Sequence, residues 1–410
     1  MRSKRLPIRL ILAAVAAALG LLMASTPLIG QETVLYSFSG NGKDGNRPFG
    51  GLVFDASGNL YGTTLAGGIG DGTVFELLPN QDGSWTERVL HTFSGYLSDG
   101  SGPSAGLILD AEGNLYGTTY GGGAARAGTV FELSLEAGGD WKEEILLSFN
   151  ATDGFGPNAG LTFDAFGNLY GNAFDGGGAR CGTVFELKRK AGGGWSKMVY
   201  KFNGSDGCAP FGDLIVDSSG NIYGTTSFGG LHNHGTVFQL TPQAGGGWRQ
   251  AILHSFDPEN GVDGDYPRGT LVRSASGALY GTTAYGGHYA SGTAFEMKPA
   301  GGGLWTESVL HAFDPNGVDG ADPLGGLISD AAGNLYGTTS AGGSFNNGIV
   351  FELTPEACGG WFEIILNNFN GNPDGSDSTA NLVFDSSGNL YGTTYLGGAY
   401  DLGTIFMITP

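Results

Sequence analysis

Seven aspartates, each followed by glycine, form the densest recurring set of reactive side chains in this sequence: Asp44, Asp99, Asp153, Asp206, Asp263, Asp319 and Asp374. In six of them a proline follows the Asp-Gly pair after two intervening residues, at Pro48, Pro103, Pro157, Pro210, Pro267 and Pro323. An aspartate in such a place can accept backbone N–H groups and fix a turn. Seven of them on one face would also make a carboxylate ring able to hold cations or polar ligands. Two of these segments, residues 257–265 and 314–322, are rich in acids and amides, as calcium loops are, although their spacing is not that of an EF-hand. No cofactor is expected, and calcium is the one ion these loops raise. His232, His234 and His288 fall on the same face, and a metal shared by the first two would need a third ligand from elsewhere. His91, His254 and His311 sit in predicted rim strands and read as structural.

Motifs that write out a reaction are missing. The sequence holds no Gly-x-Ser-x-Gly, no Walker loop, no His-Glu-x-x-His and no Cys-x-x-Cys. Carboxylates are plentiful enough for a glycosidase-like pair on one face, yet every obvious aspartate belongs to a repeat, and catalytic residues normally break repeat symmetry. No catalytic residue is assigned. The leading expectation is a non-catalytic binding scaffold. An enzyme acting on extracellular polysaccharide, or a structural component of the cell surface, stands behind it.

The elements that position these residues recur seven times. The core phrase is Asn-Leu-Tyr-Gly-Thr-Thr, with its tyrosine at Tyr61, Tyr116, Tyr170, Tyr223, Tyr280, Tyr336 and Tyr391, so the steps are 55, 54, 53, 57, 56 and 55 residues. A period of that length means stacked supersecondary units. In the first copy, residues 52–54 read as a short strand A and Asp55 to Gly58 as a turn. Residues 60–64 then read as strand B, 72–77 as strand C, and 85–93 as strand D. One copy replaces the turn Asp with Ser274 and the Asn with Ala278, which ties that pair of positions to the turn and not to a ligand. All six tryptophans head a D strand, and fourteen of the 25 phenylalanines hold two repeated positions, in strand C and at the end of strand D. Aromatics placed so regularly predict packing between units.

Four short antiparallel strands per unit predict an all-β fold, a seven-bladed β-propeller. Strand A lies at the centre and strand D at the rim, because the long D–A connection must return from rim to centre. The blades are expected at 50–93, 106–149, 160–202, 213–256, 270–313, 326–369, and 380–410 together with 31–38. The last unit stops after strand C, and a D-like segment opens the repeat region at 33–38, so that segment should complete blade 7 and close the ring. The D–A and B–C loops share one face, and the A–B and C–D loops the other.

The first 30 residues read as a signal peptide: Arg2, Lys4, Arg5 and Arg9 precede an apolar run from Leu10 that is short for a membrane span. Export, to the outside, the cell surface or the periplasm, is expected, with no membrane span afterwards. Removing four basic and no acidic residues moves the net charge from −20 to −24. Such a charge repels nucleic acid, leaving a polysaccharide or an extracellular protein as the expected partner.

The phrase Asn-Leu-Tyr-Gly-Thr-Thr, followed by Gly-Gly and then Gly-Thr-Val-Phe-Glu-Leu, resembles the GloVer tandem repeat of exported bacterial proteins, over about residues 33–410. The resemblance implies a surface or secreted protein and no particular activity. The Gly-Gly after strand B and the Trp at the head of strand D are also similar to kelch repeats, which supports the strand order and says little of function.

Cys181 and Cys208 fall on one face and 27 residues apart, and Cys358 falls on the other. An exported protein with this arrangement should pair the first two and leave the third free. Thiol titration of unfolded, unreduced protein should therefore give one thiol, and three would refute the pairing.

Overall fold

The computed structural model describes residues 30–410 apart from Cys358, so the expected leader and the third cysteine lie outside the described residues. Seven blades of four antiparallel strands follow one another around an axis. Blade 1 orders Val53–Phe54, Leu60–Thr64, Thr73–Pro79 and Trp85–Thr92 from centre to rim. Blade 7 orders Val383–Phe384, Leu390–Thr394 and Thr404–Thr409, and its rim strand is Gln31–Ser37. That strand pairs with the last one from Gln31 opposite Thr409 to Ser37 opposite Thr404, with a bulge between Val34 and Tyr36. The two ends of the repeat region thus close the ring within one sheet, with Gln31–Ser37 covering what would otherwise be the open edge of Thr404–Thr409.

Each residue of the core phrase has a distinct physical task. Asn59 donates its side-chain amide to Asp55 Oδ2 (2.9 Å), closing the A–B turn. In the variant copy the Ser274 hydroxyl takes the aspartate's place, accepting the Ala278 N–H at 3.1 Å. Leu60 is fully buried. The Tyr61 hydroxyl lies 3.2 Å from Asp55 and 2.9 Å from Glu76 on strand C. Gly62 faces the Phe75 ring, and a Cβ there would stand 2.6 Å from Phe75 Cζ; the other six copies give 2.5–2.8 Å. Thr63 donates to the Ala105 carbonyl of the next blade (2.8 Å), while Thr64 shares a hydrogen bond with Thr73 (2.8 Å) within its own.

Aromatic pairs join the blades. The phenylalanine ending each D strand meets the strand-C phenylalanine of the next blade edge to face. Six of these pairs are Phe93–Phe131, Phe149–Phe185, Phe202–Phe238, Phe256–Phe295, Phe313–Phe351 and Phe369–Phe406, with centroids 5.1–5.2 Å apart. Phe38–Phe75 (5.4 Å) is the seventh, across the closure. Tryptophans at the strand heads reach the tyrosine of the preceding blade, as Trp141 does to Tyr61 and Trp85 to Tyr391.

Short ladders also tie the loops of one face together. Gly45–Asn46 in a D–A loop pairs with Ala66–Gly67 in a B–C loop, and Gly100–Ser101 pairs with Gly121–Gly122. In blade 4 the second strand, Ile222–Phe228, extends far enough to pair with Cys208–Pro210 directly. A single 3₁₀ turn, Pro258–Asn260, is the one helical element among the described residues. No described helix is long and apolar enough to cross a membrane.

Phe38→Ala removes one member of the closing aromatic pair and should cost about 3–5 kcal/mol, the usual loss for a buried phenylalanine. Deleting residues 31–40 should lower the melting temperature further. A truncated chain that melts with the intact one would refute closure by this strand.

Candidate functional site

The residues that depart from the repeat gather at the axis. Immediately before the buried leucine that leads into each innermost strand, four blades carry glycine: Gly51, Gly106, Gly160 and Gly326. The other three carry Asp213, Thr270 and Asn381. Their side chains meet across the axis. The Asn381 amide donates to Thr270 Oγ1 (3.0 Å) and lies 3.5 Å from Asp213 Oδ2. Asp213 Oδ1 accepts the Gly160 N–H (2.6 Å), and the Gly326 N–H donates to Asn381 Oδ1 (2.7 Å). Burial pushes the Asp213 carboxyl above its ordinary value, against the hydrogen bonds from Gly160 and Thr270. The well above this cluster holds about 50 Å³, room for water but not for a sugar ring.

Two residues earlier in each copy, a second ring forms the mouth: Phe49, Ser104, Asn158, Phe211, Arg268, Leu324 and Thr379. Arg268 is the one charged member. Its guanidinium carbon lies over the Phe211 ring, 3.7 Å from the centroid, with the Tyr266 centroid at 5.5 Å. On one side of Arg268 is a cavity of about 180 Å³ lined by Phe49, Leu65, Tyr120 and Phe211. On the other is one of about 500 Å³ lined by Phe228, Asn233, His234, Asp265, Tyr266 and Tyr285. Tyr266 stacks on Tyr285 (5.8 Å, 28°) and meets Phe228 edge-on at 4.8 Å. Tyr266 holds φ +60°, a left-handed conformation that costs a side-chain-bearing residue about 1–2 kcal/mol. Exposed aromatics Tyr120, Phe155, Phe228, Tyr285, Tyr289 and Tyr400 stand on this same face.

Each of the seven Asp-Gly aspartates accepts hydrogen bonds within its own loop. Asp44 accepts from the Ser39 N–H (2.8 Å), Asp99 from the Ser94 N–H (2.7 Å), and Asp206 from the Asn203 N–H (2.8 Å). Asp263 and Asp319 accept from Gly264 and Gly320 (2.7 and 2.6 Å), and Asp374 from the Asn370 N–H (3.2 Å). Asp153 takes the Asn150 side-chain amide (2.6 Å) and an ion pair with Lys197. In the two acid-rich loops the amides act as caps: Asn260 Oδ1 accepts from Val262 and Asp263, and Asn316 Oδ1 from Val318 and Asp319. His232 and His234 turn to different carboxylates, Asp257 at 4.0 Å and Asp265 at 2.9 Å, and His288 packs on Tyr289. Cys181 and Cys208 are joined as a disulfide, with Cα atoms 4.2 Å apart.

The aspartates do have partners that sequence reasoning missed. At each junction a residue of the preceding rim strand and one of the following rim strand flank the loop aspartate. Three junctions repeat one set: His91, Asp99 and Glu143; His254, Asp263 and Glu307; His311, Asp319 and Glu363. Their ligand atoms lie within 4.8 Å of one another, so these residues could share a divalent cation. Elsewhere the same positions hold Tyr36 and Glu87, Asn367 and Glu32, Tyr200 and Gln250, or Leu147 and Lys197. Where His gives way to Leu147, Glu gives way to a lysine that reaches Asp153. The requirement common to the junctions is a cation or a proton beside a buried carboxylate. Burial, with help from the loop aspartate, pushes Glu87, Glu143 and Glu307 up to about 7. Glu32 and Glu363 are pushed up for the same reasons. All five leave Oε1 buried without a partner.

A carboxyl raised in the folded state contributes stability that is complete below its unfolded value and is lost as pH rises through the folded one. His311, raised beside Asp319 despite burial, acts with the same sign. Asp99, held down to about 2, acts only below that window. The melting temperature should therefore fall between pH 5 and pH 8. Glu363→Gln, which keeps the neutral shape, should make that fall shallower, and an unchanged pH profile would remove the junction carboxyls as its cause.

The propeller has counterparts among solved structures. An ancestral GH74 enzyme superposes with a TM-score of 0.58 at 12% identity, covering 90% of this chain and 48% of that one. This chain thus spans about half the length of that enzyme, and the likeness concerns the fold alone. A glucose dehydrogenase gives a TM-score of 0.43 at 14% identity, covering 93% of this chain and 99% of that one. No curated protein matches the sequence. The Gloeobacter/Verrucomicrobia repeat matches residues 14–216 and again 182–406, nearly the whole chain in two overlapping spans. With the seven-fold sheet order, that match assigns the protein: it belongs to the Gloeobacter/Verrucomicrobia repeat family.

Proposed function

We propose that this protein is an exported binding propeller that takes a polysaccharide at the mouth of its axial funnel, on the face of the D–A and B–C loops. The observation that carries the reading is the concentration of repeat-breaking side chains there. Asp213, Thr270 and Asn381 cross the axis, and Arg268 with its aromatic neighbours lines cavities on either side. A scaffold selected only to stand as a ring would have no need to vary at these positions. Flat, exposed aromatics suit the apolar faces of sugar rings, and polar groups between them would orient the chain.

A catalytic reading has one observation in its favour: Asp213, the axial carboxylate, breaks the repeat and is held above its ordinary value. A raised acid in a funnel is a candidate proton donor. Against it, the well over Asp213 is water-sized. Hydrolysis would also need a second group, and the other polar side chains of the axial cluster, Thr270 and Asn381, are not acids.

Incubating residues 31–410 with insoluble and soluble polysaccharides separates the readings. Loss of soluble protein without new reducing ends is the expected result, and Tyr285→Ala should weaken it. New reducing ends that vanish in Asp213→Asn would establish the catalytic reading instead. Retention by nothing in the panel, with no new ends, would overturn both.

A further inference from the structure

Arg268 is an unusual cation for a protein of net charge −20. Four other basic side chains find acids, Arg88 with Glu76, Arg180 with Asp175, Lys197 with Asp153 and Lys298 with Glu296, and most of the described lysines and arginines make no ion pair; what sets Arg268 apart is burial. Arg268 has no carboxylate within ion-pair reach among the described residues, and its Nε is buried with no hydrogen-bond partner. Burial pulls its charge below the ordinary guanidinium value, so the charged form is held at a cost. With Nε shut away from solvent, the terminal nitrogens of the guanidinium are the part of this unpaired cation that a group from outside the folded chain could complete.

The geometry says what would complete it. The guanidinium carbon sits 3.7 Å over the Phe211 ring, and Arg268 lines the axial well and both flanking cavities. A ring this close occupies the space over the guanidinium carbon, so a ligand would approach at the terminal nitrogens. A planar guanidinium edge matches a carboxylate, which takes two parallel N–H bonds in that plane. The adjoining cavity of about 500 Å³ is walled by Phe228, Tyr266 and Tyr285, which suit a sugar ring carrying that carboxylate.

We propose that the funnel recognises an acidic polysaccharide, with Arg268 binding the carboxylate of a uronic acid residue whose ring lies against Tyr266 and Tyr285. This deepens the polysaccharide reading and rests on it. The net charge of −20 disfavours polyanions in general, so selectivity falls to this one pair.

The test uses polygalacturonate, the same polymer with its carboxyls reduced, dextran sulfate, and free glucuronate as a small probe. Full-length mature protein should bind polygalacturonate at least tenfold more tightly than the reduced polymer. Arg268→Gln should lose that preference. Arg268→Lys, which keeps the charge but not the planar edge, should lose most of it, and it serves as the second variant if Gln at this packed site unfolds the mouth. Equal binding of both polymers, or a preference unchanged in Arg268→Lys, would overturn the inference and leave the funnel reading standing. Dextran sulfate bound as well as polygalacturonate would overturn the assignment to a carboxylate. Should no polymer bind, the polysaccharide reading falls, and glucuronate decides the rest. A melting-temperature rise with glucuronate in the wild type and not in Arg268→Lys would sustain carboxylate recognition, and no rise in either would end it.

Discussion

The ring depends on an aromatic ring filling the space of an absent side chain. In each blade the strand-C phenylalanine lies where the Cβ of the core glycine would be, with a gap of 2.5–2.8 Å to that imagined atom. This seats the phenylalanine low enough for the rim phenylalanine of the preceding blade to meet it edge to face, seven times around. A methyl at any of the seven glycines would lift one ring and open one wedge. In a closed ring that error has nowhere to dissipate, because every blade is also the neighbour of the blade that closes the circle. The invariance of the glycine among the seven copies follows from this contact, as does that of its aromatic partners.

Much of this was legible in the chain. The period, the four strands, the phase of the blades and the closing strand follow from the placement of Tyr61, Phe75, Trp85 and Phe38 and their copies, because a repeated unit must be built from repeated contacts. The functional residues are harder to read, because what recurs stands out in the sequence and what departs from the repeat does not. The Asp-Gly aspartates recur because their loops need an acceptor for backbone N–H groups. Asp213, Thr270, Asn381 and Arg268 are visible only when the seven copies are laid side by side and one column is read for departures. The signal was present, a column of glycines interrupted by three polar residues. What distance across the axis separates Asp213 from Asn381 was not, because their blades are not adjacent and only closure brings them within 3.5 Å.

The junction carboxyls show the same division at a finer grain. Asp99, Asp263 and Asp319 look interchangeable in sequence with Asp153, but the pair flanking each differs, His and Glu against Leu and Lys. Those partners sit in different blades, about fifty residues apart along the chain, so no local motif contains them. Each junction solves the same electrostatic problem, a buried carboxylate between two rim strands, with a different donor of positive charge or of a proton.

Closure has a consequence in time as well as in space. The rim strand Gln31–Ser37 is among the first parts of the repeat region to be synthesised, and its partner Thr404–Thr409 is among the last. Through nearly all of synthesis the first strand has no sheet to join, although Phe38, the partner of Phe75, is already made. Until Thr404–Thr409 is made, blade 7 cannot take its rim strand and the ring cannot close.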